Sequence, residues 1–168
     1  DQRILYAVNE IDDYQGQVTG SVEAWAIDPA TGGLTLLGRE DSGGAGPAHI
    51  AVDPAGRVVV VANYGGATFT VLPIRPDGSL AAISDTIEQA GSGPDVTRQE
   101  APHPHGVAFG PEGDIVVTAD LGIDRIQVYR LDAGNGRLQP VDEAATTPGA
   151  GPRHTAFDPD GRRLYVIN

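Results

Sequence analysis

The chain of 168 residues contains no cysteine and no methionine. The first absence excludes disulfides and thiolate metal sites. The second makes the opening "DQRILYAVNE" an expected interior stretch of a longer protein, with a removed leader left open. No apolar run approaches the ~20 residues that a membrane-spanning helix needs. Basic residues are scarce, 11 against 23 acidic, for a formal net charge of −12. Such a chain repels a phosphate backbone, which argues against nucleic acid as a partner. A helical period of 3.6 residues is also missing over any useful length.

Turn chemistry is abundant instead, with 23 glycines and 13 prolines placed at recurring positions. Three segments align: "GPAHIAVDPAGRVVVVANYGG" from Gly46, "APHPHGVAFGPEGDIVVTADLG" from Ala101 and "GPRHTAFDPDGRRLYVIN" from Gly151. The opening "RILYAVNE" matches the second half of the same unit. His49, His105 and His154 then hold equivalent places, 56 and 49 residues apart. That period is near the ~40–50 residues of a propeller blade.

Within one unit a short strand over 49–52 ends at the turn Asp53-Pro54-Ala55-Gly56. A β-branched run over 58–62 stops at Asn63-Tyr64-Gly65-Gly66. A third strand over 68–74 turns at Arg75-Pro76-Asp77-Gly78, and a fourth begins at Leu80. The count along the chain is three, four, four and two strands, thirteen in all. The expected fold is all-β: a β-propeller of four-stranded antiparallel blades, here a partial one of about three to three and a half blades of a larger parent. The blade portions fall at about 3–42, 46–90, 102–145 and 151–168 of a single partial-propeller domain, 1–168. The open ends of such a piece need the parent's remaining blades, or self-association, to cover them.

Alternating strand direction places the polar residues. Loops before first strands and after second strands share one rim. The first set carries His49, His103, His105, Arg153 and His154, and the second carries Asn9, Glu10, Asn63, Tyr64, Asp120, Asp124 and Asn168. The opposite turns carry generic Asp, Pro and Gly. A ligand site at a propeller's mouth produces this segregation, and so does the reuse of polar residues to pin neighbouring strands. The stretch "EQAGSGPDVTRQEAP", 88–102, either folds over the mouth and brings Arg98 and Gln99 to a ligand or is a plain linker.

His103 and His105, two apart in an extended strand, point the same way. Pro104 between them is tolerated on an edge strand. A zinc site would want a third ligand, for which Asp120 or Glu10 are the candidates, yet no recognised spacing supplies one. The pair reads as proton carrier or polar anchor, and no metal is expected.

The blocks "LYAVNE", "PAHIAVDPAGRVVVVANYGG", "RQEAPHPHGVAFGPEGDIVVTADLGIDRIQVY" and "PGAGPRHTAFDPDGRRLYVIN" give the chain its family likeness. Over essentially all 168 positions it resembles the lactonase-type seven-bladed β-propellers, whose best-known members are the bacterial 6-phosphogluconolactonases. The resemblance implies a cytoplasmic hydrolase of the pentose phosphate pathway that opens 6-phospho-D-glucono-1,5-lactone, without cofactor or membrane partner. It implies catalytic positions at His105, Arg153, His154 and Asp120. Substrate-binding positions are implied at His103, Asp124, Glu10, Asn63, Tyr64 and Arg98.

Lactone hydrolysis needs activated water and a stabilised oxyanion. His105 or His154 suits the general base, Arg153 the oxyanion or phosphate clamp, and Asp120 or Asp124 the orientation of a histidine. No Gly-x-Ser-x-Gly motif is present, which favours direct attack by water over an acyl-enzyme. Two other readings share the fold: a muconate-lactone cycloisomerase-like enzyme, and a non-catalytic propeller scaffold that binds protein or carbohydrate.

Overall fold

The computed structural model describes residues 3–168. Among them there is no helix, and thirteen strands form four antiparallel sheets. The first sheet holds β1 (Ile4–Asn9), β2 (Ser21–Ile27) and β3 (Leu34–Asp41). The second holds β4 (Pro47–Val52), β5 (Val58–Asn63), β6 (Thr68–Pro73) and β7 (Asp85–Glu88). The third holds β8 (Pro104–Phe109), β9 (Ile115–Asp120), β10 (Arg125–Asp132) and β11 (Arg137–Ala145), and the last pairs β12 (His154–Phe157) with β13 (Leu164–Ile167). Strand order within each sheet follows the chain.

The sheets stack face to face, and β5 shows why. Its run Val58–Asn63 is wholly buried, and successive side chains leave opposite faces. Val58, Val60 and Ala62 pack with Phe69 against Val107, Val116 and Tyr129 of the third sheet. Val59 and Val61 pack against Val22 and Ala24 of the first. In β9, Val116 faces the second sheet while Val117 and Ala119 meet Phe157 and Leu164 of the last. A buried valine contributes roughly 1.5–3 kcal/mol, more than a cross-sheet hydrogen bond at ~1 kcal/mol. Outer strands see solvent instead, as in the exposed Leu34 and Leu36 of β3.

Two details of register differ from the sequence reading. The fourth strand of the second sheet begins at Asp85, not Leu80. Leu80 forms only an isolated bridge to Ile74, and regular pairing resumes at Val71 with Asp85. Between those pairs one side spends four residues, 81–84, and the other two, 72–73, so the chain cannot stay in register. The three histidines are also not equivalent. Pro47 pairs with Asn63 and His49 with Ala62, which leaves Ala48 in a bulge; Pro104 pairs with Asp120 and Gly106 with Ala119, which leaves His105 in one. His154 pairs with Ile167, as His49 does with Ala62. His49, Gly106 and His154 therefore correspond, 57 and 48 residues apart, while His105 corresponds to Ala48 and Arg153.

Pairing also fixes which end carries the chemistry. Antiparallel register puts the starts of β4, β8 and β12 beside the ends of β5, β9 and β13. At Gly106 the third and last sheets approach closely. A Cβ there would collide with the Arg153 carbonyl and stand 3.3 Å from the Ala119 Cβ. Gly106→Ala in the full-length protein is expected to cost about 1–3 kcal/mol of overpacking, read as a lowered unfolding midpoint. Gly38→Ala, where a Cβ meets nothing within 4 Å, is the control expected to leave the midpoint nearly unchanged.

Candidate functional site

Three sheets converge on one group of rings. The imidazole of His105 stands edge-on to that of His154 at 4.9 Å, and His154 lies 5.4 Å from His49. Tyr64, just past the end of β5, stacks on His103 at 4.3 Å and meets His105 edge-on at 6.1 Å. The bulge at the head of β8 is what turns His105 toward its neighbours, a use of extra residues that recurs beside functional sites.

The central contact is a hydrogen bond from Arg153 Nε to His105 Nε2 at 3.0 Å. A guanidinium only donates, so Nε2 accepts and the ring proton sits on Nδ1. That Nδ1 is buried with no hydrogen-bond partner. Burial first, then the Arg153 charge, lower the His105 pKa to about 4, against a smaller opposing pull from its own carbonyl. The ring is neutral at neutral pH. His49 accepts through Nδ1 from the Val107 amide at 3.4 Å, tying the second sheet to the third. Burial and the nearby His154 lower its pKa as well.

Asp120 does not orient a histidine ring. Its Oδ1 accepts from the main-chain amides of His103, at 2.8 Å, and Gly122, at 2.9 Å. It therefore fixes the backbone that carries His103. The carboxyl is almost completely buried, Oδ2 has no partner, and burial raises its pKa. Asp124, with φ at 55°, likewise serves the loops: it accepts from Gly149, Gly151 and Gln99. Asn63 is fully buried and donates to the Ser42 carbonyl at 2.9 Å, a pin between sheets.

Two candidates stand apart from the rings. Glu10 is exposed beyond β1 and takes no part in these hydrogen bonds or ring contacts. Arg98 is exposed in a turn closed by its amide on the Asp95 carbonyl. The residue of that loop which points inward is Gln99, buried and bonded to the Leu121 carbonyl and Asp124. Thus the stretch 88–102 is not a slack linker but is tied down at its C-terminal part. Sequence reasoning missed Glu100, whose Oε1 lies 3.2 Å from His103 Nε2; its spacing of three from the histidine was the available signal.

Among the described residues no three of His, Cys, Asp and Glu are grouped to hold a metal ion. The cation of Arg153 also occupies the His105 lone pair that a metal would use. The arrangement offers a neutral imidazole, a fixed guanidinium and two further imidazoles, a set suited to moving protons next to a developing negative charge. A wide concavity of about 1060 Å³ opens elsewhere, among the turns Asp53–Arg57 and Pro73–Gly78, away from this chemistry.

The depressed His105 pKa has a sign. The folded ring binds a proton less readily than the unfolded one, at an ordinary ~6.5. Stability on this account is whole above pH ~6.5 and declines as pH falls toward about 4. Urea unfolding at pH 7.5 and 4.5 is expected to show a loss larger in the wild type than in His105→Gln, by on the order of 2 kcal/mol. Equal losses would contradict it.

The family model "Lactonase, 7-bladed beta-propeller" matches residues 1–168. A 6-phosphogluconolactonase of Bacillus subtilis is 40% identical over 98% of this chain and 45% of its own length. One from Formosa agariphila is 35% identical over 99% of this chain and 47% of its own. A Bacteroides fragilis protein of known structure superposes with a TM-score of 0.90 at 37% identity, covering 100% of this chain and 48% of that one. The chain spans about half the length of these relatives. From the match along its whole length, the chain belongs to the lactonase family of seven-bladed β-propellers.

Proposed function

We propose that the protein containing this chain hydrolyses a sugar lactone, 6-phospho-D-glucono-1,5-lactone to 6-phosphogluconate, a step of the pentose phosphate pathway. The observation that carries the reading is the Arg153–His105 pair, a fixed cation on a neutral base. The relatives' names support the substrate class. An anionic substrate entering a chain of charge −12 needs a local cation. The chain has no lysine, so every permanently charged cation in it is a guanidinium, which binds carboxylate and phosphate through a planar fork.

In the mechanism, Arg153 turns from His105 to the substrate's anionic oxygen. Nε2 is thereby freed, and neutralising the guanidinium raises the ring's proton affinity from its depressed value toward the working pH. Water attacks the lactone carbonyl carbon and gives its proton to His105 Nε2. The carbonyl oxygen becomes an oxyanion held by Arg153. Collapse breaks the bond to the ring oxygen, which leaves with the proton taken from the water, passed on from His105 through His154 so that both rings end as they began, and the new carboxylic acid ionises. His103 and Tyr64 line the substrate's approach, while Asp120, Asp124 and Asn63 keep the loops in place. Glu10 and Arg98 stand outside this assignment. A cytoplasmic location goes with the pathway; a Pseudomonas aeruginosa structure with a TM-score of 0.87 at 34% identity, covering 99% of this chain and 48% of its own, is described as a periplasmic gluconolactonase. No helix among the described residues is long and apolar enough to cross a membrane.

The chain is, on this reading, a partial propeller of three to three and a half blades, one domain over 1–168, whose two outer faces meet the parent's other blades. Leu5 and Leu36 are exposed on the first sheet, Tyr165 and Ile167 on the last. Apolar side chains on a sheet face of this kind mark a covered surface.

Arg153→Ala in the full-length protein is expected to lower kcat/KM for the phosphorylated lactone by two or more orders of magnitude, the ~3–4 kcal/mol of a lost charge stabiliser, with an unchanged circular dichroism spectrum. Wild-type turnover by that variant sinks the mechanism, and turnover of a muconate lactone instead would favour the cycloisomerase reading. Expressed alone, residues 1–168 are expected to self-associate in sedimentation experiments; a monodisperse monomer would count against the partial-propeller reading.

A further inference from the structure

The exposed loop that ends at β8 carries a contact the mechanism above does not use. His103 is buried, with only 11% of its side chain exposed, while that of Glu100 is 56% exposed. The ring's Nδ1 lies 3.3 Å from the Tyr64 carbonyl oxygen, and its Nε2 lies 3.2 Å from Glu100 Oε1. A carbonyl only accepts, and so does an ionised carboxylate. A neutral imidazole has one hydrogen to give and leaves one of these contacts unmet. Glu100 is held in its ionised form, below the usual carboxylate range, first by its own main-chain amide and further by His103. The ring is also stacked on Tyr64 with planes only 12° apart, the arrangement in which an aromatic face favours a cation.

We infer that Glu100 is a positioning residue that holds His103 doubly protonated, giving the mouth of the site a second cation besides Arg153. The carboxylate sits on the solvent side, where water screens it, and the imidazolium faces inward. The contacts run on from His103 through Tyr64 to the edge of His105. A surface carboxylate thereby sets the charge next to the proposed base without touching substrate. The other titratable groups facing this pair are Asp120, whose carboxyl receives the His103 amide and whose raised pKa the His103 charge partly offsets, the Tyr64 phenol, and His105 behind it. Asp95 repels Glu100 and works weakly against the arrangement.

Glutamine at position 100 can turn its NH2 toward Nε2 and satisfy a neutral ring. Glu100→Gln therefore removes the reason for the second proton while keeping shape and contact. The test is the nitrogen spectrum of the ring in full-length protein labelled on histidine, with the His103 signals assigned by their loss in His103→Gln. In the wild type at pH 7 both ring nitrogens of His103 are expected to carry hydrogen. In Glu100→Gln the ratio of doubly to singly protonated ring is expected to fall roughly tenfold, the scale of one lost charge-assisted hydrogen bond. Turnover supplies the second readout and rests on the proposed lactone hydrolysis: KM for the phosphorylated lactone rises in Glu100→Gln while kcat changes little. A singly protonated His103 in the wild type, or the same ring state in both proteins, overturns the inference. Absence of lactone turnover in every variant overturns the proposed reaction instead, and the ring spectra still decide the role of Glu100.

Discussion

The hydrogen bond from the Arg153 guanidinium to the His105 imidazole crosses from the last sheet to the third, and the rest of the site depends on that crossing. It needs the two sheets close enough for main chain to touch main chain, which is why the residue after His105 is a glycine under the Arg153 carbonyl. It assigns the proton on His105 to the buried Nδ1 and keeps the ring uncharged. A buried donor without a partner is costly on its own, on the order of 1–3 kcal/mol. Interleaved apolar faces on both sides of the second and third sheets supply the stability against which that cost is set.

Much of the scaffold is legible without coordinates because its signals are local. Asp-Pro-Ala-Gly and Arg-Pro-Asp-Gly specify reversals through backbone conformation alone. The unbroken valine run of β5 is apolar at every position because both its faces are covered, so it lacks the alternation of a half-exposed strand. The rim could be foreseen too, since strand direction decides which loops share an end. His105 and Arg153, placed together by that argument alone, are in contact.

What escaped reading is register and side-chain partnership. A bulge shifts equivalence by a single residue, and nothing in "PHPHG" says which histidine is the extra one; only the pairing of Pro104 with Asp120 and of Gly106 with Ala119 decides it. Leu80 reads as strand because it is apolar after a turn, yet its side chain belongs to the core between the first two sheets. Asp120 and Asp124 look like reactive carboxylates on the rim, but backbone amides claim both oxygens of Asp124 and the Oδ1 of Asp120. The same shortage of local signal hides Glu100, whose partner is settled by how the loop folds back. Residue type marks a polar atom as available, and only folding tells what takes it up.

The bulge itself has a further consequence. Its extra residue lies between two paired positions and is itself unpaired, so the side chain at that point has no cross-strand partner to match. Ala48 and His105 occupy such a bulge, Arg153 holds the matching position just before β12, and the three differ in size, charge and proton chemistry. Each repeat thus behaves like a socket of fixed geometry into which a different tool can be fitted, and an altered specificity can be assembled one sheet at a time on an unaltered frame.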